Sequence, residues 1–164
     1  MVLSLGSNLG SREQNILGAV HGLRQELSIN VKMLSSLYET EPMGSGFSRA
    51  FINAVCIVET VMEPHELLRT CGMIEREFGR EEKGGSRDRK LDIDIILYGM
   101  LVLNEPDLRI PHPRFRERLF VLAPLAEIAP GLRVPPDDVC IEEILDSIDR
   151  DVWVKRLSSR RMIF

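Results

Sequence analysis

The sequence predicts an α+β fold in which an antiparallel sheet packs against helices. Short apolar runs with the composition of strands alternate with two segments whose apolar residues recur every three to four positions, as in amphipathic helices. The chain has 164 residues, 44% of them hydrophobic. That length suits a single domain over residues 1–164 with a sizeable core.

The first half of the chain predicts a strand, a helix and two further strands. Val2 to Leu5 is an apolar run that ends at a Gly-Ser-Asn turn. Ser11, followed three residues later by Gln14, predicts a capping box, and helical spacing of apolar residues extends this helix to Leu27. The elements that follow are a strand at 31–38, a loop at 41–48 and a strand at 51–60.

The second half predicts a helix, a strand and an extension. Pro64 suits the first turn of the helix and Gly79 suits its end. The remaining elements are a charged loop at 80–90, a strand at 91–98, a hairpin at 101–110, a helix within 116–128 that Pro124 limits, a short helix near 141–148 and a strand at 152–157. The order β-α-β-β-α-β plus an extension is the ferredoxin-like split arrangement, with the antiparallel sheet sandwiched by helices.

Charge and composition exclude several classes of function. The net charge is −4 and no block of like charges forms a tail, so we expect no nucleic-acid partner. No apolar run is long enough to span a membrane, and the N-terminus does not read as a secretory signal. Cys56, Cys71 and Cys140 form no C-x-x-C pair, so we expect neither disulfides nor a zinc site. These features predict a cytoplasmic protein, which we expect to be a monomer, with small-molecule ligands.

Two aspartates interrupt the apolar strand at 91–98. Asp92 and Asp94 are two positions apart and therefore point to the same face, roughly 6–7 Å apart at Cα, while Leu91, Ile93 and Ile95 point into the core. Two neighbouring carboxylates can share hard cations, and magnesium is commonly held by carboxylates together with substrate phosphates. The alternative is the solvent-facing side of an edge strand, although aspartate is a poor strand former.

Arginines precede and follow this strand. Arg80, Arg87 and Arg89 lie in the glycine-containing loop before it, and arginine's planar fork matches phosphate oxygens. The pattern suggests a mobile lid that closes over a nucleotide; the alternative is a solvated loop with internal ion pairs. His112 lies between two prolines, which would hold a phosphate-binding histidine rigidly, although a lone histidine can equally be structural.

An amide and aromatic rings suggest a site for a planar ligand. Asn53 is two residues after Phe51 and shares its strand face. An amide can read the edge of a heterocycle while a ring stacks on its face. For Phe51 and Phe120 taken singly, a place in the core is the competing interpretation.

These residues resemble the 6-hydroxymethyl-7,8-dihydropterin pyrophosphokinase family of folate synthesis. The resemblance covers nearly the whole chain, and the six motifs occur in the expected order. They are Leu-Ser-Leu-Gly-Ser-Asn-Leu at 3–9, Ser-Leu-Tyr-Glu-Thr at 36–40, Phe-Ile-Asn-Ala at 51–54, Arg-Lys-Leu-Asp-Ile-Asp-Ile at 89–95, Ile-Pro-His-Pro at 110–113 and Pro-Leu-Ala-Glu-Ile-Ala-Pro at 124–130.

The resemblance implies ATP as co-substrate, two magnesium ions, a pterin substrate and AMP as leaving group. By similarity, Asp92 and Asp94 hold the metals and act in catalysis together with Arg80 and Arg89. The implied ATP-binding residues are Leu68, Glu75, Arg80, Arg89, Ile95, Leu108, His112 and Arg118, of which Leu68, Ile95 and Leu108 resemble the adenine pocket. The implied pterin-binding residues are Thr40, Met43, Phe51, Asn53 and Phe120.

The sequence departs from the family pattern mainly in its loops. Many members have Gly-Pro where Arg87-Asp88 stands here, and many have a tryptophan in that loop, which this loop lacks. Phe51 replaces a frequent tyrosine, and Glu41 and Met43 also differ. These departures concern loop closure and substrate affinity more than the reaction.

The implied reaction is attack of the pterin hydroxyl on the β-phosphorus of ATP, in which positioning and electrostatics dominate. No residue stands out as a general base. Two rival functions are a non-catalytic nucleotide- or metal-binding module and another ATP-dependent nucleotidyl transferase, which would leave AMP on its product.

Overall fold

The computed structural model describes residues 1–41, 49–79, 88–148, 153–157 and 162–163. The helices are α1 (Arg12–Gln25), α2 (Pro64–Glu77), α3 (Leu119–Ile128) and α4 (Ile141–Ser147), with a 3₁₀ turn at Phe115–Glu117. The strands are β1 (Val2–Ser7), β2 (Ile29–Leu34), β3 (Tyr38–Thr40), β4 (Phe51–Thr60), β5 (Asp92–Leu97), β6 (Leu103–Asn104), β7 (Arg109–Ile110), β8 (Arg133–Val134), β9 (Val139–Cys140), β10 (Val154–Arg156) and β11 (Met162–Ile163).

The main sheet is antiparallel, with β1 between β4 and β5. Along its other edge, β4 pairs with two strands, β2 and β3, which follow each other in the chain. The late strands extend the sheet further, because β10 pairs with β3 and β11 pairs with β2. Two small hairpins, β6–β7 and β8–β9, lie outside this sheet. The fold is therefore mixed α and β, with an antiparallel sheet and four helices, as the sequence predicts at this level.

The sheet is buried on both faces. Helices α1 and α2 contribute Ile16, Leu23 and Leu67 to one apolar cluster, which also contains Ile93 and Ile95 of β5. Helices α3 and α4 contribute to a second cluster, which contains Ile96 of the same strand. Burial on both faces explains why β5 reads as a nearly continuous apolar run apart from its two aspartates.

Helix α1 departs from its prediction at both ends. Among the described residues, Ser11 makes no side-chain hydrogen bond as N-cap, so the predicted capping box with Gln14 is wrong. The backbone carbonyl of Ser11 accepts the first hydrogen bond of the helix, from the amide of Asn15 at 2.9 Å. The helix ends at Gln25, and Leu27 is fully exposed, because the chain turns there into β2.

Two other predicted elements change form. The strand predicted at 31–38 divides into β2 and β3 at Ser35, where the side-chain hydroxyl of Ser35 accepts from the backbone amide of Val55 at 3.0 Å. Pro124 does not limit the third helix. It is buried inside α3, and the helix continues to Ile128. Packing at this site offsets the one intrahelical hydrogen bond that a proline cannot donate.

The other predicted elements are present with small changes at their ends. Strand β4 has the predicted bounds, α2 begins at Pro64, and Gly79 follows α2 with a φ of 85°. The hairpin β8–β9 and strand β11 were not predicted, since each strand is only two residues long. No helix in the described ranges is both long and apolar enough to cross a membrane.

Candidate active site

A cleft opens where β1, β3, β4 and β5 meet the start of α3. Its lining combines a polar and aromatic part with a charged part. The lining residues are Ser4, Gly6, Thr40, Glu41, Phe51, Asn53, Arg89, Asp92, Asp94, Arg114, Arg118 and Phe120. Eight of the residues predicted from the sequence therefore meet in one cleft.

Gly6 forms the floor between the two parts of the cleft. In the register of the sheet it is opposite Asn53 on one side and Asp92 on the other. A Cβ atom at Gly6 would lie 3.2 Å from Oδ1 of Asn53 and 3.9 Å from Cβ of Asp92. A glycine here brings the main chain close to anything that occupies both parts of the cleft.

The polar and aromatic part is built on β3 and β4. Asn53 is buried, and its amide nitrogen donates to the hydroxyl of Thr40 at 2.9 Å, which fixes the orientation of the amide. Phe51 and Phe120 are only half-buried, and both line the cleft. They are therefore not ordinary core residues, and the arrangement suits a flat ligand whose edge carries hydrogen-bonding groups.

The charged part is built on β5. Asp92 and Asp94 project into the cleft, whereas Leu91, Ile93 and Ile95 are buried on the opposite face, as the alternation predicts. An Arg89 guanidinium nitrogen lies 2.7 Å from Oδ2 of Asp92. Burial, and then the charge of Asp92, raise the pKa of Asp94, while His112, Arg118 and Arg89 oppose that shift.

His112 and Arg118 extend the charged part toward α3. The backbone amide of His112 donates to the carbonyl of Ile96 at 3.0 Å, which fixes this segment against β5. Nδ1 of His112 accepts from the amide of Arg114 at 3.2 Å, and Nε2 lies 3.5 Å from Nη1 of Arg118. Burial, followed by the charge of Arg118, lowers the pKa of His112. A neutral imidazole beside arginines can gain a proton when anionic groups arrive.

Arg118 connects the two parts of the cleft. Its Nη1 lies 3.3 Å from Oδ2 of Asp94, and its guanidinium carbon lies 5.5 Å from the centre of the Phe120 ring. That distance is within the range of a cation–π contact. Arg118 therefore stacks on an aromatic wall while facing a carboxylate. Arg116, by contrast, forms a fork with the carboxylate of Asp137.

Asn8, the residue directly after β1, holds the residue that pairs with Asp92. Oδ1 of Asn8 accepts from the backbone amide of Arg89 at 2.7 Å, and the backbone amide of Asn8 donates to the carbonyl of Arg89 at 3.1 Å. The side-chain amide of Asn8 also donates to Asp88 at 2.7 Å. The motif can be recognised in the sequence, but the role of Asn8 depends on Arg89, which is eighty-one positions away.

Four predicted ATP-binding residues lie behind the cleft rather than in its lining, among the described residues. Ile95 and Leu108 are buried, Leu68 is partly buried against the same apolar cluster, and Glu75 is buried with Oε1 accepting from the amide of Ile93 at 2.7 Å. Met43, Arg80 and Arg87, and most of the predicted lid at 80–90, lie outside the described residues.

Several lining residues were not predicted as part of the site. Ser4 and Gly6 belong to the first motif, but their places follow only from the pairing of β1 with β4 and β5. Arg114 lines the cleft two residues after His112, and Glu41 lines it at the end of β3. In the sequence, Arg114 could have been recognised only from the density of arginines after the Ile-Pro-His-Pro motif.

The hairpin that leads to His112 is fastened to α2. Nε2 of His65 lies 3.1 Å from a carboxylate oxygen of Glu105 and 3.5 Å from one of Asp107. These side chains are partly or largely exposed and lie outside the cleft lining. Their contact fixes the β6–β7 turn against the start of α2.

Several known proteins are similar to this chain. The family model of the 7,8-dihydro-6-hydroxymethylpterin-pyrophosphokinases matches residues 2–130. A 2-amino-4-hydroxy-6-hydroxymethyldihydropteridine pyrophosphokinase of Bacillus subtilis is 42% identical over 126 residues, which are 77% of this chain and 75% of that protein. The folic acid synthesis protein fol1 of Pneumocystis carinii is 41% identical over 151 residues, covering 92% of this chain and 20% of that protein.

The chain thus spans about a fifth of the length of the fol1 relative. A solved Plasmodium falciparum HPPK-DHPS chain, in a structure with pterin and p-hydroxybenzoate, has the same fold with a TM-score of 0.66, at 17% identity, over 88% of this chain and 42% of that one. The predicted family and activity class, an ATP-dependent pyrophosphokinase acting on hydroxymethyldihydropterin in folate synthesis, are confirmed by the family match and by the named relatives. The chain belongs to the 7,8-dihydro-6-hydroxymethylpterin-pyrophosphokinase family.

Proposed function

We propose that the cleft at Gly6 carries the pyrophosphoryl transfer, with the pterin in its polar and aromatic part and the phosphates of ATP in its charged part. One observation carries this assignment: Asn53 and two half-buried rings line the same cleft as Asp92 and Asp94. A module that only binds a nucleotide or a metal would need the charged part alone.

The acceptor binds between Phe51 and Phe120. Asn53, held by Thr40, hydrogen-bonds the polar edge of the pterin ring, and Met43 takes part from the loop after β3. The position of both half-buried rings in the cleft lining, together with an amide fixed by Thr40, supports this assignment. The hydroxymethyl group would then point across Gly6 toward the aspartates.

Asp92 and Asp94 hold the metal, which we propose to be two magnesium ions. The residues fit such a group, because oxygen ligands suit magnesium and because the charge of Asp92 raises the pKa of the neighbouring Asp94. Two carboxylates that repel each other in a cleft gain from a shared cation. Bound magnesium would neutralise phosphate oxygens and stabilise the charge on the transferring group.

Arginines and His112 hold the phosphates. Arg89 and Arg118 each face one of the two aspartates, and the planar guanidinium group of each suits phosphate oxygens. Arg80 acts together with them. His112 gains a proton or donates a hydrogen bond when phosphates approach. Leu68, Glu75, Ile95 and Leu108 form or support the adenine site behind the cleft.

The chemical step is an in-line displacement at the β-phosphorus of ATP. The pterin hydroxyl oxygen forms a bond to that phosphorus, the bond from it to the α,β-bridging oxygen breaks, and AMP leaves with that oxygen. The hydroxyl proton is released, and we assign it to no protein base. The side chains bind, align and exclude water, which is where most catalysis of this kind originates.

Two broader proposals accompany this one. The order β5-β1-β4-β2 and the two helices α1 and α2 on one face support the ferredoxin-like topology. The two apolar clusters share one sheet, which supports a single domain over residues 1–164. The monomeric state and the cytoplasmic location stay predictions.

The test is an assay with the pterin alcohol, ATP and magnesium that measures pterin diphosphate and free AMP. We expect the two products in equal amounts. AMP found on the product instead of free in solution would support a nucleotidyl transferase, and absence of any product with both substrates bound would support a binding module.

A further inference from the structure

The C-terminal strand β10 lies beyond residues 2–130, which the family model matches, yet it borders the acceptor part of the cleft. It pairs with β3, with Val154 opposite Thr40 and Arg156 opposite Tyr38. Thr40 in turn lines the cleft and holds Asn53. The strand is therefore one position away in the sheet from the side chains assigned to the pterin.

Two hydrogen-bonded anchors connect β10 to the cleft. At one end, the backbone amide of Trp153 donates to Oε1 of Glu41 at 2.9 Å, and Glu41 lines the cleft. At the other end, Nε of Arg156 donates to the hydroxyl of Ser36 at 3.0 Å, and its Nη2 lies 3.1 Å from Oε1 of Glu127.

Glu127 is a charged side chain of α3 that the reaction does not use. Its side chain is only 10% exposed, whereas that of Arg156 is 54% exposed. Oε2 accepts from the amide of Ser36 at 3.1 Å and from the hydroxyl of Tyr38 at 3.0 Å, and Oε1 accepts from the hydroxyl of Ser36 at 2.9 Å. A carboxylate with so little exposure is retained because several donors and a cation satisfy it.

This carboxylate fixes the distance between the two walls of the acceptor site. Helix α3 carries Glu127 near its end and Phe120 near its beginning, while the contacts of Glu127 lead to β3. Burial and the hydrogen bond to Glu127 raise the pKa of Tyr38 to about 12, so its phenol remains a donor throughout the physiological range. Any shift of Glu127 would move α3, and with it the Phe120 ring, relative to Thr40.

We infer that β10 is a positioning element for the acceptor part of the cleft, in which Arg156 acts through Glu127 on the Phe120 wall and Trp153 acts through Glu41 on the rim. The inference rests on the proposed function, because that assigns the pterin to this part of the cleft. It assigns a role in substrate affinity to a segment outside the matched family region, whereas the two aspartates of the charged part lie on β5, at the opposite end of the strand order β10-β3-β4-β1-β5.

The test compares Arg156→Met with its neighbour Lys155→Met, which removes an equal charge from the opposite face of the same strand. Binding of the pterin and of a non-hydrolysable ATP analogue is measured separately by calorimetry. We expect Arg156→Met to raise the Kd and KM for the pterin about tenfold, a size common for coupled contacts. The Kd for the ATP analogue should stay within about twofold, and Lys155→Met should change neither.

If Arg156→Met is poorly folded, Glu127→Gln and a double-mutant cycle between the two positions still test the inference. Glu127→Gln should also weaken the pterin more than the ATP analogue, and Arg156→Met/Glu127→Gln should bind it no worse than Glu127→Gln alone. Arg156→Lys should restore part of the affinity. Equal losses for both ligands, or strictly additive effects, would show a merely structural role and overturn the inference.

The proposed function is tested separately by wild-type AMP release and by Asn53→Ala. If the wild type turns over and Asn53→Ala loses pterin affinity while the Arg156 variants bind pterin normally, only the inference about β10 fails. If the wild type neither binds pterin nor releases AMP, the proposed function itself fails.

Discussion

Asn8 and Arg89 are joined by two hydrogen bonds although they are eighty-one positions apart: Oδ1 of Asn8 accepts from the amide of Arg89 at 2.7 Å, and the amide of Asn8 donates to the carbonyl of Arg89 at 3.1 Å. Asn8 is buried. The backbone of Arg89 is thereby fixed to the end of β1, which leaves its side chain directed at Asp92.

We therefore expect Asn8→Ala to lower kcat more than it weakens binding of ATP. The lost acceptor frees the backbone from which Arg89 reaches the phosphates, at a cost of about 1–3 kcal/mol for a buried hydrogen bond. Single-turnover kinetics and calorimetry with an ATP analogue measure the two effects. Asn104→Ala, on the exposed side of the β6–β7 hairpin, is the matched control. Unchanged kcat in Asn8→Ala would contradict a positioning role.

Asp94→Asn should abolish turnover without harming the fold. The loss should be about a hundredfold or more, which corresponds to roughly 3 kcal/mol of transition-state stabilisation. Because burial and Asp92 raise the pKa of Asp94 in the folded state, its ionised form lowers stability as the pH rises above about 4. At pH 7 without magnesium, the variant should therefore be at least as stable as the wild type in thermal unfolding.

The effect of magnesium on thermal stability tests whether both aspartates bind the metal. It should raise the Tm of the wild type, since a ligand of the folded state stabilises that state, and should raise the Tm of Asp92→Asn and Asp94→Asn less. Near wild-type turnover in either variant, at ordinary magnesium concentrations, would show that the metal assignment is wrong.

Asn53→Ala should weaken binding of the pterin by about 1–3 kcal/mol, because polar groups on the ring edge lose their partner. Binding of the ATP analogue should be unchanged, since Asn53 faces the other part of the cleft. Calorimetry with each ligand alone makes the comparison, and Asn30→Ala on the exposed side of β2 controls for a general effect of losing an asparagine. Equal losses for both ligands would point to a misplaced site.

His112 should titrate below its ordinary pKa of about 6.5 in the free protein, because burial and Arg118 lower that pKa. Its contribution to stability is present above pH 6.5 and is lost as the pH falls through the folded pKa, since the unfolded chain takes up the proton first. A non-hydrolysable ATP analogue should raise the pKa, because phosphate oxygens favour imidazolium. NMR titration, with assignment from His112→Gln, measures both states; an unchanged pKa would remove His112 from the phosphate site.

The sequence predicts those features that depend on local pattern. The alternation in β5 separates Asp92 and Asp94 from the buried Ile93, and Pro64 marks the start of α2. Pattern fails where distant contacts decide. The strand divides at Ser35, whose hydroxyl accepts from the amide of Val55, and Pro124 is accommodated in α3, where it is buried. The predicted capping box is absent, since the side chain of Ser11 makes no hydrogen bond to the first turn of α1.

In the site, too, local pattern predicts some residues and distant contacts decide the others. Motifs predict Asn53, Asp92 and Asp94, but no local rule connects Glu127 to Ser36 or Asn8 to Arg89, since each pair meets only after the sheet and α3 have formed. The role of β10 is hidden for the same reason, because its contacts cross more than one hundred residues.

The glycine at the floor of the cleft also bears on inhibition. A methyl group at Gly6 would lie 3.2 Å from Oδ1 of Asn53, so the amide would have to shift by a few tenths of an ångström, whereas Asp92 at 3.9 Å would be at ordinary contact distance. A compound that rests on the main chain at this point, and reaches into both parts of the cleft, would contact backbone atoms, which side-chain substitutions do not remove. A substitution of Gly6 that excluded such a compound would also press on Asn53, which we assign to the pterin.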